Sequence, residues 1–181
     1  MRIRDKIKKP QRPVVAYEIL PPREKDGTLN AYAETISSLL SQTHIDAINI
    51  PEVHDEVGRG ERPVSNQERG EPRKFGMLLQ DIVGIEAIVN RVVVHMSLKK
   101  QMEWIKETYS KYEIDNLIIV GGESSKQEYP GPAVNESLEK ISQDNRSLEN
   151  SILCGGICIP SRRKESKNLI RKSECGAEFF T

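Results

Sequence analysis

The run Val14-Val15-Ala16-Tyr17-Glu18-Ile19-Leu20 carries a glutamate where a buried strand is expected to carry no charge, and Pro21-Pro22 follow at once. An ionisable group at the mouth of a buried strand is costly to desolvate unless it is paired or used. A carboxyl kept neutral against apolar walls can act as a general acid near neutral pH. Glu18 is therefore the first candidate catalytic residue. The null alternative is a structural ion pair with an arginine.

Other polar groups gather just after strand-like runs. Arg23 follows the first run, and Asn49, Glu52 and His54 surround the second. His95 lies in the third. Gly121, Gly122 and Glu123 follow the fourth, and Ser161, Arg162 and Arg163 follow the fifth. Asn49 and Glu52 are candidate substrate contacts. Glu123 is a second candidate acid, and Arg162 suits a carboxylate or phosphate. His95, inside an apolar run, also reads as a hydrogen-bonded core histidine. Gly121-Gly122 reads most simply as a tight turn. The Gly-Glu-Ser-Ser stretch is a weak phosphate-cradle signal. Cations are unfavourable at a helix start, so Arg162, Arg163 and Lys164 lean toward anion binding.

The elements that must position these groups alternate. Strands are expected over Pro13–Ile19, Ala47–Ile50, Arg91–Met96, Asn116–Val120, Ser151–Ile159 and from Ala177 onward, on short β-branched runs. Helices are expected after Thr28, over Phe75–Asp81, after Ser97, over Ala133–Ile141 and over Lys164–Glu174, the last stopped by Gly176. The long charged stretch from Pro51 to Lys74 reads as a lid or binding loop. This is βα repeated five times plus a strand, which implies a parallel sheet with helices outside. The strand ends would then share one rim. Five and a half units do not close a (β/α)8 barrel, whereas an open doubly wound sheet would be complete at this length. No G-x-G-x-x-G or Walker A loop follows a strand. The pattern alone leaves both architectures standing.

Composition narrows the function classes. The 181 residues carry 27 Lys plus Arg and 27 Asp plus Glu, so net charge gives no reason to expect nucleic acid or an anionic membrane. No apolar run approaches the ~20 residues needed to span a bilayer. The basic start, MRIRDKIKKPQRP, lacks the apolar segment of a secretory signal and reads as a solvated arm. Cys154, Cys158 and Cys175 are odd in number, and C-x3-C with no nearby histidine is a poor zinc match, so no metal is expected. Cys154 and Cys158 would share one strand face as small buried thiols. A reduced, cytoplasmic protein is expected.

Four segments taken together resemble the methylenetetrahydrofolate reductase family: VVAYEILPPRE; AINIPEV with ERPVS downstream; NLIIVGGESSKQEYPGPAVNESLE; and CGGICIPSRRKESKNLIRKSECGAEFFT. Their order and spacing extend over nearly the whole chain. The resemblance implies an α/β fold of the TIM (β/α)8 type, here incomplete, with residues 1–181 as a single domain truncated at its C-terminus relative to a full barrel. It implies reduction of 5,10-methylenetetrahydrofolate to 5-methyltetrahydrofolate with NAD(P)H, with or without FAD. By motif, Glu18 matches the family's general acid, and Glu123 stands where an R-G-D motif has its aspartate. His95 matches a histidine near the flavin, and Arg162 and Lys172 match basic positions after the fifth strand. The triplet reads Gly121-Gly122-Glu123, without the arginine. The IPEV, ERPVS, GPAV and IPSR segments look more like a divergent branch, in which some members work without flavin. The alternative is a non-catalytic barrel fragment, with a second copy or a partner chain supplying the remaining strands. A small α/β binding domain without folate chemistry is a third reading.

Overall fold

The computed structural model describes residues 2–53, 69–122, 127–146 and 151–181. Glu123, His54 and the ERPVS motif lie outside the described residues, as does most of the expected lid. Six strands are hydrogen-bonded in chain order, β1-β2-β3-β4-β5-β6, and helices fall between them. This is the α/β alternation that the sequence implies. The chain divides into two compact units, 1–89 and 90–181.

The first unit contains α1 (Ile3–Lys8), β1 (Ala16–Glu18), α2 (Leu29–Leu40), β2 (Ala47–Pro51), α3 (Pro72–Val83) and the start of β3 (Ala87–Val92). Helix α2 begins where the sequence implies: the Thr28 hydroxyl accepts from Ala31 N–H. Helix α3 is longer than expected. Glu71 caps it through Lys74 N–H, Pro72 opens it, and Gly84 ends it at φ +71°. The α2 and α3 faces meet through Tyr32 and the fully buried Phe75, their rings 5.8 Å apart. β1 and β2 pair in parallel, with Glu18 opposite Asn49.

Two expectations fail in this unit. β1 is three residues long and exposed throughout, unlike the buried β2. Among the described residues it is an edge strand paired with β2 alone, so nothing described covers its outer side. The basic start is not a solvated arm either. It forms α1, with Ile3 buried and its N–H donated to Glu86, while Lys6 and Arg12 pair with the buried Asp46 carboxylate. A sequestered counter-charge anchors what composition alone suggests should be solvated.

The second unit contains the end of β3, α4 (Leu98–Tyr112), β4 (Asn116–Val120), α5 (Val134–Asn145), β5 (Leu153–Gly156), α6 (Glu165–Glu174) and β6 (Phe179–Phe180). β4 and β5 are buried and parallel, and Gly155 and Gly156 pair with Phe179 and Phe180. A Cβ on Gly155 would overlap the Phe179 ring, so this glycine lets an aromatic lie across the strand. Gly176, at φ +115°, ends α6 as expected. Ser97 stands at the N-cap of α4 without a side-chain capping bond.

β3 begins and ends about four residues before the expected Arg91–Met96, and Val93–His95 form a 3-10 turn. Its buried Arg91 is held by tertiary contacts. Nε donates to Gln101 Oε1 at 2.8 Å, and the guanidinium lies 4.2 Å from the centre of the Trp104 ring. β5 is also shorter than expected, so Cys154 lies in it and Cys158 beyond it. Among the described residues none of the three cysteines forms a disulfide.

Candidate functional site

In the first unit the strand ends bring Glu18 and Asn49 together. Their Cα positions are opposed in the parallel register, and Ile19 N–H donates to Asn49 O at 2.9 Å. Asn49 Nδ2 donates to Glu18 Oε2 at 2.9 Å. The amide is buried, whereas the carboxyl faces solvent. Asn49 Oδ1 is buried and, among the described residues, accepts no hydrogen bond. The expected burial of Glu18 is therefore corrected: a buried amide supports an exposed acid. Glu52 follows β2 and is half-buried. Arg23 pairs with Asp26, its Nε 2.7 Å from Oδ2, which holds the Asp26 carboxyl below its usual range.

The polypeptide beyond β1 is tied down by main-chain and arginine contacts. Gly70 N–H donates to Pro22 O, Arg23 and Arg69 form an antiparallel bridge, and Arg69 Nη1 donates to Pro21 O at 2.9 Å. These bonds fix the Pro-Pro segment that follows Glu18.

In the second unit, a cleft of about 750 Å³ is lined by Val94, Gly121, Gly122, Tyr129, Val134 and Arg162, among others. This is within the usual range for small-molecule sites. His95 stands beside it in the 3-10 turn rather than in a strand, edge-on to Tyr129 with ring centres 5.7 Å apart. Gly121 and Gly122 do not serve a left-handed turn, since neither has a positive φ. They serve close approach: a Cβ on Gly122 would overlap the Tyr129 ring, and one on Gly121 would come within 3.2 Å of Val134 Cγ2. Gly131 N–H donates to Val94 O at 2.8 Å and fixes the segment after Tyr129 on the 3-10 turn. Tyr129 has no place among the candidates read from sequence. A tyrosine in a Gly- and Pro-rich connection has no periodic signature.

Arg162 reaches this cleft, but Lys172 is not among the residues lining it. Lys172 donates to Ile157 O at 2.6 Å and lies 3.9 Å from Glu165 Oε1. Glu165, also missed from sequence, organises the segment after β5. It accepts from Asn168 Nδ2 at 2.9 Å and Ile159 N–H at 3.0 Å, and its Oε2 lies 3.7 Å from Arg162 Nη1. The Asn168 bond, then the Ile159 bond, with Lys172 and Arg162 adding attraction, hold its carboxyl below the usual range against burial. The readable signal was an acid in the first turn of a helix preceded by three cations.

Among the described residues, no His/Cys/Asp/Glu group is arranged to hold a metal ion, and no helix is long and apolar enough to cross a membrane.

No family model and no curated protein matches the sequence. Among solved structures, the chain is similar to an uncharacterized protein from Clostridium thermocellum that binds two copies of 5-methyl-5,6,7,8-tetrahydrofolic acid. The TM-score is 0.72 at 18% sequence identity, over 98% of this chain and 57% of that one. This chain thus spans a little over half the length of that protein, and the likeness is one of fold.

Proposed function

We propose that the chain is a folate-binding domain of the (β/α)8 type, containing five and a half βα units, and that it reduces 5,10-methylenetetrahydrofolate to 5-methyltetrahydrofolate with NAD(P)H. The observation that carries the reading is the Glu18–Asn49 pair. It places an oriented carboxyl at the C-terminal end of a parallel strand, where barrels of this type keep their chemistry. The fold shared with a methyltetrahydrofolate-binding protein supports the choice of ligand.

Glu18 is the general acid. Its proton goes to one of the two nitrogens bridged by the methylene carbon, and that carbon–nitrogen bond breaks. An electrophilic iminium is left on the other nitrogen. A bound NAD(P)H would supply the hydride that converts this carbon to the methyl group. A flat pterin lying over the exposed Glu18 would exclude water from it.

Arg162, which lines the cleft of the second unit, would face the anionic groups of a nicotinamide cofactor held there. Tyr129 and Val134 lie against Gly122 and Gly121, and no step is assigned to flavin.

Calorimetric titration with 5-methyltetrahydrofolate tests the folate reading. Saturable binding supports it, and the absence of heat at millimolar ligand would remove folate as the ligand. A non-catalytic binding domain would bind the folate and turn nothing over.

A further inference from the structure

We infer that Asn49 is a positioning residue that assigns the acidic proton of Glu18 to Oε1. The inference rests on Glu18 acting as the acid and goes beyond that reading by stating which oxygen delivers the proton and what selects it.

The argument begins from burial. Asn49 is 8% exposed, and its main-chain carbonyl is engaged by Ile19 N–H. The amide plane is therefore held by packing, and Nδ2–H is presented to Glu18 Oε2 at 2.9 Å. A proton on Oε2 would leave the amide only a hydroxyl oxygen, a weaker acceptor, and would compete with Nδ2–H for that side of the carboxyl. A proton on Oε1 leaves Oε2 as the carbonyl-like acceptor that the amide needs. The observed bond thus serves the ionised carboxylate and the acid protonated at Oε1, and it disfavours the acid protonated at Oε2. In both permitted states the carboxyl keeps one orientation, so proton release requires no rearrangement behind it.

The orphaned Oδ1 shows what this arrangement costs. Leaving a buried acceptor unpaired is destabilising. Turning the amide over would set Oδ1 against the Glu18 carboxylate oxygen, two acceptors face to face. A purely structural residue at this position would be better served by an apolar side chain of the same shape. Asparagine is explained by the donor it offers to Glu18.

The test uses two near-isosteric variants, Asn49→Leu and Asn49→Asp, both of which lack the donor. Side-chain amide NMR on the unliganded wild type gives the first readout. The Asn49 NH2 resonance should be shifted and slow to exchange, and Glu18→Ala should move it toward the free-amide position. An Asn49 resonance unaffected by Glu18→Ala overturns the inference whether or not the chain binds folate. The second readout is kinetic. Both Asn49 variants should lower kcat by on the order of 10- to 100-fold with little change in KM, while Asn49→Ser, which restores a donor, should recover part of the loss. A KM effect with kcat unchanged would make Asn49 a ligand contact and overturn the positioning role. If wild type neither binds nor reduces folate, the proposed function fails, and the NMR comparison still decides the pair.

Discussion

The ring of Tyr129 occupies the space in which a side chain on Gly122 would stand. The same ring meets His95 edge-on, and Gly131 pins the connecting segment to Val94 O. Gly122→Ala should therefore displace Tyr129 and destabilise the chain by about 1–3 kcal/mol, the usual cost of overpacking. Thermal melting checks this. A double-mutant cycle with Tyr129→Ala should show strong non-additivity, because removing the ring removes the overlap. Additive effects would mean that the ring and the glycine do not share the space.

The buried Asp46 holds the N-terminal helix in place. Val15 N–H donates to it at 2.9 Å, Lys6 lies at 3.0 Å, and Arg12 binds both its oxygens. The Val15 bond, then Lys6 and Arg12, hold its carboxyl at about 2, down from 3.8, against the upward push of burial. A carboxyl lowered by folding contributes stability that is fully present above its unfolded value and lost as pH falls through its folded one. Asp46→Asn should thus cost about 1–3 kcal/mol at pH 7. The gap between variant and wild type should close between about pH 4 and pH 2. Denaturant melts across that range check it, and a gap independent of pH would contradict it.

Glu165 should show the same sign. Its lowered carboxyl ties Ile159 N–H to α6, so Glu165→Ala should speed hydrogen exchange at the Ile159 amide and release Lys172 from one of its two partners. In the wild type, protection should be complete above the ordinary carboxylate range and decline as pH falls below it. Protection unchanged in the variant would show that other contacts hold this segment.

The parts of this fold legible in sequence are those set by local pattern. Asn116–Val120 is a continuous apolar run and forms the expected strand, and Thr28 caps the expected helix. β3 was misplaced because Val92-Val93-Val94 carries the strongest β propensity in its region. The strand instead runs through Asn90 and Arg91, and Arg91 is tolerated there because Gln101 and Trp104 meet it. The role of Glu18 was read from the burial of a strand that proved to be an edge, and edge position is a property of the sheet rather than of the run. Asn49 was legible as a polar group at a strand end, but its bond to Glu18 follows from register alone. Tyr129 and Glu165 act through contacts that no local pattern encodes.

The proposed role of Glu18 is to deliver a proton during folate reduction. Its most direct test is NAD(P)H oxidation with 5,10-methylenetetrahydrofolate by the wild type and by Glu18→Gln, with and without added FAD. Turnover in the wild type that falls by roughly 100-fold or more in the variant, with folate affinity nearly intact, is the predicted result. No turnover in the wild type, or equal turnover in the two proteins, would contradict it.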